Sequence, residues 1–243
     1  MSAKTIAGFL LVLSLATPVL FGQTVTSHAV TSSGAVSVVP PNAVPISGKT
    51  CVMGTLASYI ALGSGGCIFN NAIFANFSYS GTVAASVTSA AGIKPEQILV
   101  IPVPPGPIVT PTVTPYYPGL NFSASWQAGR AQTMVSVIHY TVTPAPASTA
   151  IEGGVLTLQL GRAQIFGMIG RVTVQESTNV GTLTVEEQCT EVCRIKRLDS
   201  LEFSPLQELL ITDTITLNGG LNGASLYGFT ANFNSCVQCA QPE

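Results

Sequence analysis

Hydrophobic and polar positions alternate along much of the chain. In Leu120-Asn-Phe-Ser-Ala-Ser-Trp126, the residues Leu120, Phe122, Ala124 and Trp126 fall on one side and Asn and Ser on the other. Ile73-Phe-Ala-Asn-Phe-Ser-Tyr79 alternates likewise, grouping Ile73, Ala75, Phe77 and Tyr79. A period of two marks a strand with one buried face. The same pattern predicts strands at Thr82–Thr88 (after Gly81), Thr133–Val142, Gly154–Leu160, Arg171–Gln175, Thr182–Val185, Ile211–Leu217 and Tyr227–Phe233. A short helical turn is predicted around Leu56–Leu62. The 16 Pro and 23 Gly fall mostly between the runs, where turns belong. Short strands without intervening amphipathic helices predict an all-β fold, an antiparallel, jelly-roll-like β-sandwich in one domain. Trp126, Phe77 and Tyr79 are expected in its core.

The N-terminus follows another pattern. Lys4 precedes an apolar run from Ile6 to Ala16, then Thr17-Pro18 and a small residue, Gly22. This is the order of a secretory signal peptide over residues 1–22. The run is 11 residues, against roughly 20 for a membrane span. No Cys follows it closely, which argues against a lipid anchor. The most apolar later window, Ile98–Val109, is broken by Pro102, Pro104, Pro105 and Pro107. The mature chain is therefore expected to be secreted, with no transmembrane segment. Residues 23–46 form an uncharged stretch rich in Ser, Thr and Pro, and 47–243 the sandwich domain.

Export changes the reading of the six cysteines, Cys51, Cys67, Cys189, Cys193, Cys236 and Cys239. An even number in an exported chain suggests disulfides, for which fifteen connectivities exist. Pairing between neighbours, 51–67, 189–193 and 236–239, is the simplest. A zinc site from C-x3-C and C-x2-C is the rival, weakened by the 42 residues between Cys193 and Cys236. A redox Cys236-x-x-Cys239 normally opens a helix in a βαβ setting, and here it sits in a polar tail.

Charge is scarce, at 8% of residues against 47% hydrophobic, with 48 Ser or Thr. That balance excludes a disordered chain. A net charge of −2 excludes a nucleic-acid surface, which needs clustered Lys and Arg. Nine charges gather between Glu186 and Glu208, with mixed signs that fit local ion pairs on a solvated face.

Catalytic chemistry is not marked. The only Asp residues are Asp199 and Asp213, too few for a calcium loop, and no motif marks a carboxylate pair. His28 and His139 are isolated, and Gly223-Ala-Ser225-Leu-Tyr-Gly228 is one residue too long for a nucleophile elbow. P-loop and G-x-G-x-x-G units are missing. No enzymatic activity, metal or cofactor is expected. A glycan site would rest on Tyr116 and Tyr117, in the Pro-flanked Thr114-Pro-Tyr-Tyr-Pro-Gly119, since flat rings stack on sugar faces. Asn76-Phe-Ser78 and Asn121-Phe-Ser123 match the glycosylation sequon, but both lie inside predicted strands.

The segment from Leu62-Gly-Ser-Gly-Gly-Cys67 to Phe77-Ser-Tyr79-Ser80 resembles the opening of bacterial PEP-CTERM secreted proteins, with their Gly/Cys turn and F-x-N-F-x-Y strand. Pro118-Gly-Leu-Asn-Phe122, Ile138-His-Tyr140-Thr-Val142, Phe229-Thr-Ala-Asn-Phe233 and the final Gln241-Pro242-Glu243 extend the likeness over residues 50–243. The resemblance implies Sec export, a β-sandwich ectodomain and sorting linked to exopolysaccharide. The family's tail continues past Pro-Glu with an apolar span, whereas this sequence stops at Glu243, so free secretion is expected. The resulting expectation is a surface or matrix-associated structural protein whose partners are exopolysaccharide or other copies of itself. The alternative is a carbohydrate-binding module with a defined glycan site.

Overall fold

The computed structural model describes residues 48–70, 72–84, 92–104, 119–145 and 154–233. Their strands are β1 (Gly54–Thr55), β2 (Cys67–Phe69), β3 (Ala72–Ala84), β4 (Leu99–Val103), β5 (Gly119–Ala128), β6 (Thr133–Pro144) and β7 (Gly154–Leu160). They continue with β8 (Ala163–Ile165), β9 (Ile169–Thr178), β10 (Gly181–Thr190), β11 (Val192–Lys196), β12 (Leu198–Phe203), β13 (Leu209–Asn218) and β14 (Ala224–Phe233). One α-helix, α1 (Leu56–Ile60), fills the predicted helical turn, its start capped by Thr55 Oγ1 accepting from the Ser58 N–H.

Two antiparallel sheets pack together as a sandwich. The first runs β1-β4-β5-β14-β7-β12, with β8 also on β14, and the second runs β11-β10-β9-β13-β6-β3-β2. Alternation decides what each strand buries. In β13, Leu209, Ile211, Asp213, Ile215 and Leu217 point inward, and Thr212, Thr214 and Thr216 outward. Leu120, Phe122 and Trp126 of β5 meet them from the other sheet, all fully buried. Each large apolar side chain so buried contributes about 1.5–3 kcal/mol. Aromatic rings link the layers: Tyr59, Phe77, Tyr140, Phe122, Phe229 and Trp126 follow one another at centroid distances of 5.0 to 6.1 Å.

β3 departs from simple alternation. A bulge between Ala75 and Ser78 leaves Asn76 at φ 55°. The extra residue lets Phe74 and Phe77 both turn inward, so Ile73, Ala75, Phe77 and Tyr79 do not share one face. Gly81 does not end the strand, which continues to Ala84 on β6. The expected core positions of Trp126 and Phe77 are found. Tyr79 is partly buried, its hydroxyl 2.8 Å from the Ile93 carbonyl and 2.9 Å from Ser136 Oγ.

The charged segment spans the end of β10, β11 and β12. β11 is exposed at every position and pairs with β10, and the chain crosses at Arg197 to β12 in the other sheet. Charged side chains on such edges discourage pairing with other chains. Two ion pairs form here, Arg171 Nε to Glu186 at 3.0 Å and Lys196 to Asp199 at 2.8 Å. Arg171 is half-exposed, so Arg171→Ala is expected to cost under ~1 kcal/mol in urea unfolding. A larger loss would show that this pair is more than surface decoration.

Two of the expected disulfides are present. Cys51–Cys67 ties the chain entering the domain to β2, and Cys189–Cys193 joins directly opposed residues of β10 and β11. Cys236 and Cys239 lie outside the described residues.

Candidate functional site

Tyr116 and Tyr117 also lie outside the described residues. The other residues weighed from the sequence have local roles. His139 is exposed on β6, with Nδ1 2.8 Å from Thr212 Oγ1. The Asn76 amide donates to Thr141 Oγ1, and that of Asn121 to the Phe229 carbonyl and Thr230 Oγ1. Burial pushes the Asp199 carboxyl up. The Lys196 ammonium and the N–H groups of Thr184 and Ser200 outweigh it and hold the group below its ordinary range.

Of two clefts among the described residues, the larger measures about 580 Å³. Three separate segments form it: the turn before β4, the end of β5 and the start of β6. On β5, alternation that buries Trp126 turns Ser125 and Gln127 outward. The Ile93 carbonyl is held by the Tyr79 hydroxyl, which fixes the turn against β3. Gln97 Oε1 accepts the Lys94 N–H at 2.9 Å, and Gln132 Oε1 accepts the Gly129 N–H at 2.9 Å. These bonds settle the orientation of both amides and leave each Nε2 as a donor. Gln127 Nε2 reaches Ser125 Oγ at 3.4 Å, leaving its Oε1 as an acceptor. Ile93 and Met134 add apolar surface, and Lys94 is the one charged residue of the described lining. Amide donors, an amide acceptor and an apolar patch match a polyhydroxylated ligand, whose hydroxyls both donate and accept. A smaller cleft of about 200 Å³ beside Cys51–Cys67 offers less, because the Tyr59 hydroxyl there already donates to the Val52 carbonyl.

The second chemical cluster is sealed. Glu176 of β9 and Asp213 of β13 sit directly opposite each other, facing the core, with 1% and 0% exposure. Among the described residues no protein donor reaches any of their four oxygens, so each carboxyl has only the other for a partner. Burial pushes the Asp213 carboxyl up to about 8, although its bond to Glu176 pulls the other way. Burial, then the charge of Asp213, drives Glu176 well above its ordinary range. Tyr140, fully buried beside them, is raised in turn by burial and by both acids, and its hydroxyl has no partner among the described residues. The sequence carried a sign of this pair in the inward register of Asp213 between Ile211 and Ile215. Enclosed as they are, the two carboxyls offer no accessible acid or base.

No family model and no curated protein matches the chain. Among solved structures, the chain is similar to the carbohydrate-binding module TmCBM61 in complex with β-1,4-galactotriose, at 11% identity and a TM-score of 0.26. The match spans 65% of this chain and 88% of that one. A likeness of that size bears on neither ligand nor site. Among the described residues no helix is long and apolar enough to cross a membrane, and no three His, Cys, Asp or Glu gather as a metal site. The fold itself defines the class: a disulfide-bearing, antiparallel β-sandwich protein.

Proposed function

We propose that the protein is an exported structural component of a bacterial surface or extracellular matrix, without catalytic activity, that associates with exopolysaccharide. The observation that supports this is the amide-lined cleft of Gln97, Gln127 and Gln132, carried on a sandwich whose outer strand faces are largely Ser, Thr, Asn and Gln. Uncharged donors and acceptors suit a neutral glycan, and the low charge of the chain suits close packing in a matrix. The resemblance to PEP-CTERM proteins points the same way.

The test is retention of the secreted chain on the producer's exopolysaccharide, with added salt and competing simple sugars. Salt-resistant retention that sugars compete away is expected. Gln127→Ala/Gln132→Ala should weaken it by about 30-fold, since two lost hydrogen bonds at about 1 kcal/mol each total about 2 kcal/mol. No retention would overturn the reading. A carbohydrate-binding module with a defined site at Tyr116 and Tyr117 is the second reading. It is favoured if binding saturates on one oligosaccharide and is lost in Tyr116→Ala/Tyr117→Ala while the glutamine variant still binds.

A further inference from the structure

The sealed carboxyl pair has a use that polysaccharide binding does not explain. Across the second sheet the inward row reads Leu183, Glu176, Asp213, Ile138 and Tyr79, from β10 through β9, β13 and β6 to β3. Two acids thus occupy the centre of a row whose immediate neighbours are apolar. The buried side chains of the facing sheet include Phe122, Trp126, Leu158, Leu226 and Phe229. The other titratable groups turned toward the core from the neighbouring strands are Tyr79 on β3, Tyr140 on β6 and Glu187 on β10, opposite Val172. His139 and Arg171 point to the outer face, where they meet Thr212 and Glu186. Asp199 on β12 is held by Lys196. No lysine, arginine or histidine is buried among the described residues. A pair of negative charges could not be held there without a cation. Two protonated carboxyls can, because each donates its O–H to the other and both are satisfied.

We propose that Glu176 and Asp213 form a proton-held latch between β9 and β13, which tightens the sandwich in acid and loosens it as the surrounding medium turns alkaline. The protons leave for solvent on titration, the O–H···O bonds are lost, and the carboxylates then demand water that only an opened sheet admits. In the unfolded chain both groups ionise in the ordinary carboxylate range, near 4. Their stabilisation is therefore complete below about pH 4. It is lost as pH rises through about 8 for Asp213, and Glu176, also raised by burial, acts in the same direction. This sign is opposite to common acid denaturation. Asp199, held low, acts in the ordinary direction and only in stronger acid.

The test is a series of thermal melts of the secreted chain from pH 4 to 9 at fixed salt. The midpoint should fall by at least about 3 °C per pH unit between pH 5 and 8. Glu176→Gln/Asp213→Asn, nearly equal in shape, should flatten that slope and melt above the parent at pH 8. Should the double variant fail to fold, unfolding of the parent at pH 6.5 in unbuffered urea gives the same answer. About two protons per chain should be released, one from each carboxyl. A midpoint that rises with pH, a slope unchanged in the folded variant, or unfolding without proton release would overturn the latch. So would a midpoint lowered by a chelator, which would mean that a cation holds the pair.

Discussion

Replacing Trp126 by Ala is expected to cost about 3–5 kcal/mol, a large share of the 5–15 kcal/mol that holds a typical domain together. Trp126 is fully buried on β5, next to Phe229 at the end of the aromatic chain that joins the two sheets. Its removal leaves a cavity that rigid strands on both sides cannot close. The same alternation that buries Trp126 presents Ser125 and Gln127 to the cleft, so the strand's twist and the cleft's geometry are expected to suffer together. Trp126→Phe should cost much less. It keeps a ring in place and removes the indole N–H, which has no acceptor among the described residues and so carries a burial penalty of about 1–3 kcal/mol. Urea unfolding followed by far-UV circular dichroism compares the three chains. Equal losses for Ala and Phe would mean that the indole nitrogen has a partner after all. A loss under ~1 kcal/mol for Ala would mean that the site collapses around the gap. As the single Trp of the chain, Trp126 also gives the parent a fluorescence signal that reports its own burial.

The sandwich was legible because its long strands carry clean alternation. β5, β6, β7, β13 and β14 coincide with runs read from Leu120, Thr133, Gly154, Ile211 and Tyr227. The bulge at Asn76 was not legible: one residue with positive φ shifts every later side chain, and nothing in composition announces it. β11 was hidden because it is exposed throughout and mixes charge with apolar residues, and β12 because Asp199 shares the half-buried face of Leu201 and Phe203 and breaks its apolar period. β4 was hidden by Pro102. That proline is tolerated because β1 covers only Leu99 and Val100, and among the described residues the rest of β4 has no strand partner on that side. The cleft could not be read from the sequence. Its glutamines come from three segments, and their chemistry depends on which amide atom a turn has already used. The acid pair depends on β9 and β13 lying side by side, although three strands separate them in the chain.

Loss of Cys51–Cys67 is expected to cost more than loss of Cys189–Cys193. The first closes 16 residues and the second 4. The loop-entropy relation then gives about 3 kcal/mol against about 2 kcal/mol. The structure widens that gap. Cys189 and Cys193 are already opposed in the β10–β11 hairpin, whose hydrogen bonds hold them near each other without the bridge. Cys51 and Cys67 lie at an edge where the preceding chain meets β2 through one parallel bridge at Thr50 and Ile68 and a few backbone bonds, such as Cys51 N–H to the Ile68 carbonyl at 2.9 Å. β2 in turn covers only three residues of β3. Without the disulfide, the chain at Thr50 and Cys51, β2 and the small cleft beside them are expected to fray before the core opens. Denaturant midpoints of Cys51→Ala/Cys67→Ala and Cys189→Ala/Cys193→Ala measure the order directly. Amide exchange should then show early opening at Cys51–Phe69 in the first variant and at β11 alone in the second. The reverse order of midpoints would mean that the charged edge, rather than the entry edge, is where this sandwich begins to come apart.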